Sequence, residues 1–356
     1  MTQERGDCVC NRQVHRRLKS ARRWLIVAAV CWLGTTGCAT IPYRYGHFRT
    51  PGDDAHTGVA FEYGKPQKTL DRIAYVTGIW SRFLSLNSRV NNHSLSDETK
   101  EKLIAYLDEN ELNDVLIRVN QYDPKGEWHR LRENHRVAPG WRYTAGLLSL
   151  AHYTIFPGRV LGGDQYNPFT NTLYLNSDVS AVVLHEAAFA KDVHSRMLPG
   201  TYAFVNEIPV VALWRHTNGV NDILGYAQIN DDWAVERETY CVVYPQMGVH
   251  GAALVGAPLP FWDGILCTVA GAAVGHTTGR IAISRRMDQR IRMAGDESPD
   301  DDTETESIEA LVDTSDPEHR SNEIRFTSHQ DDPDDKRKTD VGLKRPAPNR
   351  SLKTED

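Results

Sequence analysis

The sequence predicts an α+β protein, mostly helical with a small sheet, set between two ends that do not belong to the globular core. Three observations lead there. Between residues 66 and 248, apolar residues recur mainly at three- and four-residue intervals, the period of a helix. Two short runs, Leu112–Asn120 and Asn171–Asn176, alternate as strands do. The flanks change character, basic and then apolar at the start, acidic and poor in apolar residues from Gly295 onward. Taking the ends away from a chain of 356 residues leaves roughly 230 for a core, enough for one large or two small domains. The formal net charge of −6 is spread unevenly, Arg-rich before the first apolar run and acidic at the C-terminus, a pattern that argues against nucleic-acid binding.

Residues 1–37 read as a secretory signal. The basic segment His15–Arg23 runs into an apolar stretch from Trp24 that ends in small residues before Cys38. The stretch is short for a membrane span. Thr35-Thr-Gly-Cys38 resembles a lipoprotein box, in which the cysteine is acylated and becomes the new N-terminus; this places the mature protein on a bacterial cell envelope, exported and held by lipid at Cys38. An uncleaved anchor helix is the other reading of the same segment. With 1–37 removed, Cys241 and Cys267 are the cysteines left beside Cys38, too few for a disulfide framework. Residues 38–65 mix Gly, Pro, Tyr and charge without a period and read as a tether.

The domain proper is expected over 66–248. Leu70, Ile73, Val76, Ile79 and Phe83 form the buried face of a first helix. Ser94–Glu98 supplies a cap and early acidic residues for a second, carrying Leu103, Ile104 and Leu107. The strand Leu112–Asn120 puts Val115, Ile117 and Val119 on one face, and Tyr122-Asp-Pro124 ends it. Glu127–Arg136, dense in Arg, Glu and His, is a solvated face or an irregular charged connection. Ala145–Phe156 is a buried helix or strand, and Gly162-Gly163 makes a turn into the strand Asn171–Asn176. From Asp178 a helix apolar on nearly every side runs to Pro199, which predicts burial all round. Ala203–Trp214 is another apolar stretch, Arg215–Asp222 a polar break, and Asp231–Tyr244 an acid-capped helix closed by Pro245. Residues 249–294 turn rich in Gly and Ala, with Gly271–Gly275 and Gly275–Gly279 at GxxxG spacing. That spacing lets helices approach closely in lipid, and Arg280–Arg292 would suit a cytoplasmic flank. A membrane segment over 258–279 and a water-facing Gly-rich helix pair are both compatible with it. The acidic tail 295–356 cannot bury enough surface to fold and is expected to be disordered.

One stretch carries chemistry. The strand Asn171–Asn176, a polar turn, and then Leu184-His185-Glu186-Ala-Ala-Phe189-Ala-Lys-Asp192 follow one another. Over Tyr166–Tyr244 this resembles the HExxH zinc metallopeptidases of gluzincin type. The resemblance implies a zincin-like core, with His185 as a zinc ligand and Glu186 as the general base acting on zinc-bound water. A carboxylate on a following helix, Glu236 first and Asp232 or Asp231 as substitutes, would complete the set. It also implies that the strand Asn171–Asn176 lines the cleft and pairs with an extended peptide. The pattern departs at i+4, where Phe189 stands in place of the second histidine. At about 100° per residue, Phe189 lies about 40° from His185, directly over it, and offers no ligand atom. His194, nine residues on, has turned to the opposite face, and Asp192 sits about 10 Å further along the axis. A stand-in would have to come from elsewhere in the chain, such as His152, His216 or His250. Loss of a ligand weakens or abolishes zinc binding and leaves Glu186 without an activated water. Three expectations follow: an inactive metallopeptidase-like domain on the envelope that binds peptides or envelope partners, an active zinc metalloprotease with a rearranged ligand set, or a structural envelope lipoprotein.

Overall fold

The structure is a computed structural model, and it describes residues 42–48, 59–65, 68–156, 163–257 and 261–296. The signal segment, Cys38 and nearly all of the acidic tail lie outside these residues. The described part is helical around one small mixed sheet, in agreement with the α+β class. The sheet has four strands in the order β1-β2-β4-β3: β1 (Ala60–Tyr63), β2 (Leu116–Val119), β3 (Gln165–Asn167) and β4 (Thr172–Leu175). β1, β2 and β4 run parallel, in a register that aligns Phe61, Ile117 and Leu173, while β3 pairs antiparallel with β4 and forms the far edge. The strand of the presumed tether is thus part of the sheet, and the domain begins before residue 66. Tyr43, too, is packed against the core, its hydroxyl bonded to Asn110 at 3.0 Å. Sequence could not reveal this, because a four-residue edge strand and a lone tyrosine have no period of their own.

Both faces of the sheet are covered, as a largely parallel sheet requires. Ile117, Val119, Leu173 and Leu175 point to one side, into a core shared with α3 (Asp97–Glu109), α6 (Ser180–His194) and α8 (Pro209–Ile229). Tyr174 points to the other, where Leu131 of α4 (Pro124–Glu133) and Leu150 and Tyr153 of α5 (Leu147–Ile155) close the layer. A single helical turn, Pro139–Trp141, and a π-helical segment, Arg142–Gly146, lead into α5. α6 is buried along nearly its whole length, as its all-round apolar composition predicts. Its N-terminal amide of Ala181 donates to Glu238 at 3.2 Å, which satisfies a group that the helix itself leaves open.

Several helical expectations are corrected, the irregular connection over Glu127–Arg136 among them, since most of it lies in the helix α4. The first helix is broken at Gly78 into α1 (Lys68–Thr77) and α2 (Ile79–Ser85), and Ile73, Val76, Ile79 and Phe83 face outward, each 46–59% exposed. The small side faces inward instead: Ala74 is buried, and a Cβ at Gly78 would stand 3.1 Å from the Asn91 carbonyl oxygen, so close packing there favours the side without bulk. The polar run Arg215–Asp222 is no break either. It is the middle of α8, which also carries the buried Val220, Ile223, Leu224 and Ala227.

Beyond α7 (Pro199–Asn206) and α9 (Trp233–Glu238), the chain passes through a π-helical segment, Thr239–Val243, into α10 (Tyr244–Gly256), so Pro245 opens a helix instead of closing one. α11 (Phe261–Asp296) folds back on α10. The GxxxG glycines set that contact. A Cβ on Gly271 would lie 2.2 Å from the Gly248 carbonyl oxygen, and one on Gly275 would lie 2.5 Å from Pro245 Cα. Among the described residues no helix is long and apolar enough to cross a membrane. The basic flank of α11 has protein partners: Arg286 meets Glu236 at 2.9 Å and Arg290 meets Asp231 at 2.7 Å.

Candidate functional site

α6 follows directly on the sheet strand β4, and Tyr166 on the edge strand β3 faces it. β4 lies between β2 and β3, so the sheet edge nearest the helix is β3, not the Asn171–Asn176 strand. The outward amide of Tyr166 donates to Glu186 Oε2 at 3.2 Å. The other oxygen of Glu186 accepts from His185 Nδ1 at 3.2 Å. On the far side of the ring, His185 Nε2 stands 3.3 Å from the carbonyl oxygen of His216. Both ring nitrogens therefore face oxygen atoms of the protein. This closeness depends on Gly219: a Cβ there would sit 2.9 Å from two atoms of the His185 ring.

Glu186 is buried, and burial raises a carboxyl pKa, but the hydrogen bond and charge of His185, the charge of Arg215 and the Tyr166 amide together outweigh it. The net result is a carboxylate held below its usual range. Both oxygens already have partners, so the group expected to act as a base is built into the edge of the sheet.

Phe189 fills the i+4 position as the sequence indicates. Its ring meets Tyr166 edge to face at 5.6 Å and carries the Arg215 guanidinium 4.4 Å above its face. A fixed cation thus lies against the residue that replaces the second histidine. Arg215 Nη2 donates to His216 Nε2 at 3.2 Å. Burial, reinforced by the charges of His185, His250 and Arg215, holds the His216 imidazole far below its ordinary value, so it is neutral. His185, His216 and His250 form a stack, with ring centroids 5.2 and 4.4 Å apart and planes within 8° and 20° of parallel. His250 Nδ1 donates to the Gln246 carbonyl at 2.8 Å.

Two of the three histidines named as stand-ins, His216 and His250, therefore do reach His185, brought by α8 and α10. The third, His152, is exposed and packs on Phe156 in α5. Face-to-face imidazoles hold their lone pairs in nearly parallel planes, so the stacked rings do not point at one ion between them. Among the described residues no group of three or more His, Cys, Asp or Glu side chains is arranged to hold a metal. The carboxylates proposed as the remaining ligand are committed to cations: Glu236 to Arg286, Asp231 to Arg290, and Asp232 to Lys102 at 3.0 Å while it also caps α9. His194 turns away as helical rotation requires and bonds Ala190 and Asp114. In this arrangement Glu236, Asp231 and Asp232 are held by other protein groups and do not join His185.

The site opens into a cavity of about 420 Å³ between α1, α2, α8 and α10, a volume within the usual range for small-ligand sites. Its polar wall includes His185, Glu186, Arg215, His216 and His250, and its apolar wall includes Trp80, Leu84, Val90 and Val249. Sequence reasoning missed Arg215 and Asn91, which also lines the cavity. The one signal for Arg215 was its adjacency to His216, and a polar residue in mid-helix is ordinarily solvated. Compared with known proteins, the chain matches no family model, no curated protein and no solved structure.

Proposed function

We propose that this chain is an exported, lipid-anchored cell-envelope protein whose globular part descends from HExxH metallopeptidases, has lost catalysis and binds peptides. The observation that carries the reading is the engagement of Glu186. Its two oxygens serve His185 and the amide of the β3 edge, while Phe189 removes a ligand and Arg215 brings a positive charge to the same place. A general base needs an oxygen aimed at its proton, and both oxygens of this one are turned to partners within the protein. Descent is supported by the order of elements, a strand followed at once by the buried helix that bears His185-Glu186. Peptide binding is supported by the cavity beside a sheet edge. The lipid anchor rests on the Thr35–Cys38 sequence.

Metal analysis of the purified full chain, together with a peptide-cleavage assay, tests the loss of catalysis. The expected outcome is no stoichiometric zinc and no cleavage that Glu186→Gln abolishes. Chelator-sensitive zinc at one per chain would instead support an active metalloprotease with a rearranged ligand set.

A further inference from the structure

The hydrogen-bonding groups of the cavity do not balance. Each oxygen of Glu186 already has a partner, and Asp164, the other carboxylate on the wall, accepts at one oxygen from the amides of Asn176 and Ser177 at 2.8 and 3.0 Å. The cations are less occupied. Among the described residues Arg215 gives one hydrogen bond, to His216, and pairs with no carboxylate. A guanidinium presents five N–H donors in a planar fork that matches a carboxylate, so four remain. His216, accepting at Nε2, carries its proton at Nδ1 and adds another donor. Across the same cavity, Asn91 is 8% exposed and its Oδ1 is buried with no hydrogen-bond partner. Its backbone, held at φ 47° and tied by its amide to Ser177 Oγ at 2.8 Å, is fixed independently of any ligand. A buried acceptor left open is costly, and it calls for an N–H.

We propose that the cavity binds the free C-terminus of a peptide ending in an apolar residue. The terminal carboxylate pairs with Arg215 and the His216 N–H, a backbone N–H of the peptide donates to Asn91 Oδ1, and the last side chain lies among Trp80, Leu84 and Val249. A ligand of this kind supplies an acceptor, a donor and an apolar group together. A fatty acid supplies the carboxylate and the tail without the N–H. The inference rests on the peptide-binding reading above and makes it specific.

Isothermal titration calorimetry on the full chain tests it with three probes: N-acetyl-Ala-Ala-Leu as the free acid, the same peptide as the C-terminal amide, and decanoate. The free acid is expected to bind about 10- to 100-fold more tightly than the amide, the range of a charge-assisted hydrogen-bonded pair. Decanoate should bind more weakly than the acid peptide. Arg215→Gln should bring acid and amide to equal affinity, with circular dichroism confirming that the variant is folded. Equal binding of acid and amide to the unaltered protein overturns the C-terminus inference and leaves peptide binding standing. Decanoate binding as tight as the acid peptide overturns the peptide as its source. Binding of none of the three overturns both.

Discussion

Two buried glutamates, one in each of the layers that flank the sheet, show what burial of charge does and does not say about function. Glu127 on α4 is fully buried, and Oε1 lies 2.7 Å from Nη1 of Arg118, itself 2% exposed in the middle of β2. Arg118 also reaches Glu62 at 3.0 Å and Asp123 at 3.4 Å. The pair does not line the large cavity. Glu186 on α6 is buried to a similar degree but paired with a histidine, at the wall of that cavity and beside a cation with donors to spare. The difference teaches that the mark of a binding site here is the open donor and acceptor next to space, not the buried charge. The first pair is structure; the second is structure that borders a site.

The sharpest way to break this comparison is to remove Glu127. Glu127→Ala leaves the Arg118 guanidinium buried beside the more exposed Glu62 and Asp123 alone, and an uncompensated buried charge costs about 3–5 kcal/mol. Urea denaturation should show a loss of that order, with the proposed peptide binding unchanged in the remaining folded fraction. A loss under 1 kcal/mol would mean that the outer carboxylates suffice and that the two glutamates are less different than their surroundings suggest.

A smaller effect is expected at Gly219, on the other side of the comparison. A methyl there meets the His185 ring at 2.9 Å, so α8 or the ring must shift. Overpacking of this kind costs about 1–3 kcal/mol. Because His185 holds Glu186 and borders the cavity, Gly219→Ala should also weaken binding of the acid peptide, whereas Glu127→Ala should not. Unaltered affinity in the glycine variant would separate the His185–Glu186 pair from the cavity.

The parts that sequence made legible share a cause. The burial of α6, the inward set Val115, Ile117 and Val119, and the cap of α9 by Asp232 are local, set by a residue's own neighbours in the chain. The strand Thr172–Leu175 was found, but not its place inside the sheet, since order within a sheet depends on strands more than 50 residues away. The same limit hid the partners of Glu236, Asp231 and Asp232, which read as free carboxylates until α11 folds back with Arg286 and Arg290 and α3 presents Lys102. His185, Glu186 and Phe189 were recognised as one cluster because a helix places i and i+4 together. Arg215, 30 residues on from His185, opens the run that the sequence presents as a polar break, and its place rests on a helix that His216-Thr-Asn-Gly219 disguises.

The smallest predicted effect is one of pH. In the unfolded chain His216 takes up a proton near the ordinary imidazole value of about 6.5, whereas in the fold it stays neutral far below that. Between the two, the unfolded state binds more protons, so stability is full above about pH 6.5 and falls as the pH is lowered, by up to about 1.4 kcal/mol per pH unit. Glu186 has the same sign in a lower window: its folded value is depressed, so its contribution is present above the ordinary carboxylate value of about 4.3 and is lost on further acidification. His216→Asn separates them, since asparagine keeps an acceptor for Arg215 but does not titrate. Urea midpoints taken at pH 7, 6 and 5 should fall in the unaltered protein and fall less steeply in the variant, where the remaining slope comes from His250, whose imidazole burial also holds below its ordinary value, while both decline below pH 4.5. If the variant falls as steeply between pH 7 and 5, the acid sensitivity lies in other groups, and the neutral imidazole between Arg215 and His185 is not what shapes the stability of the site.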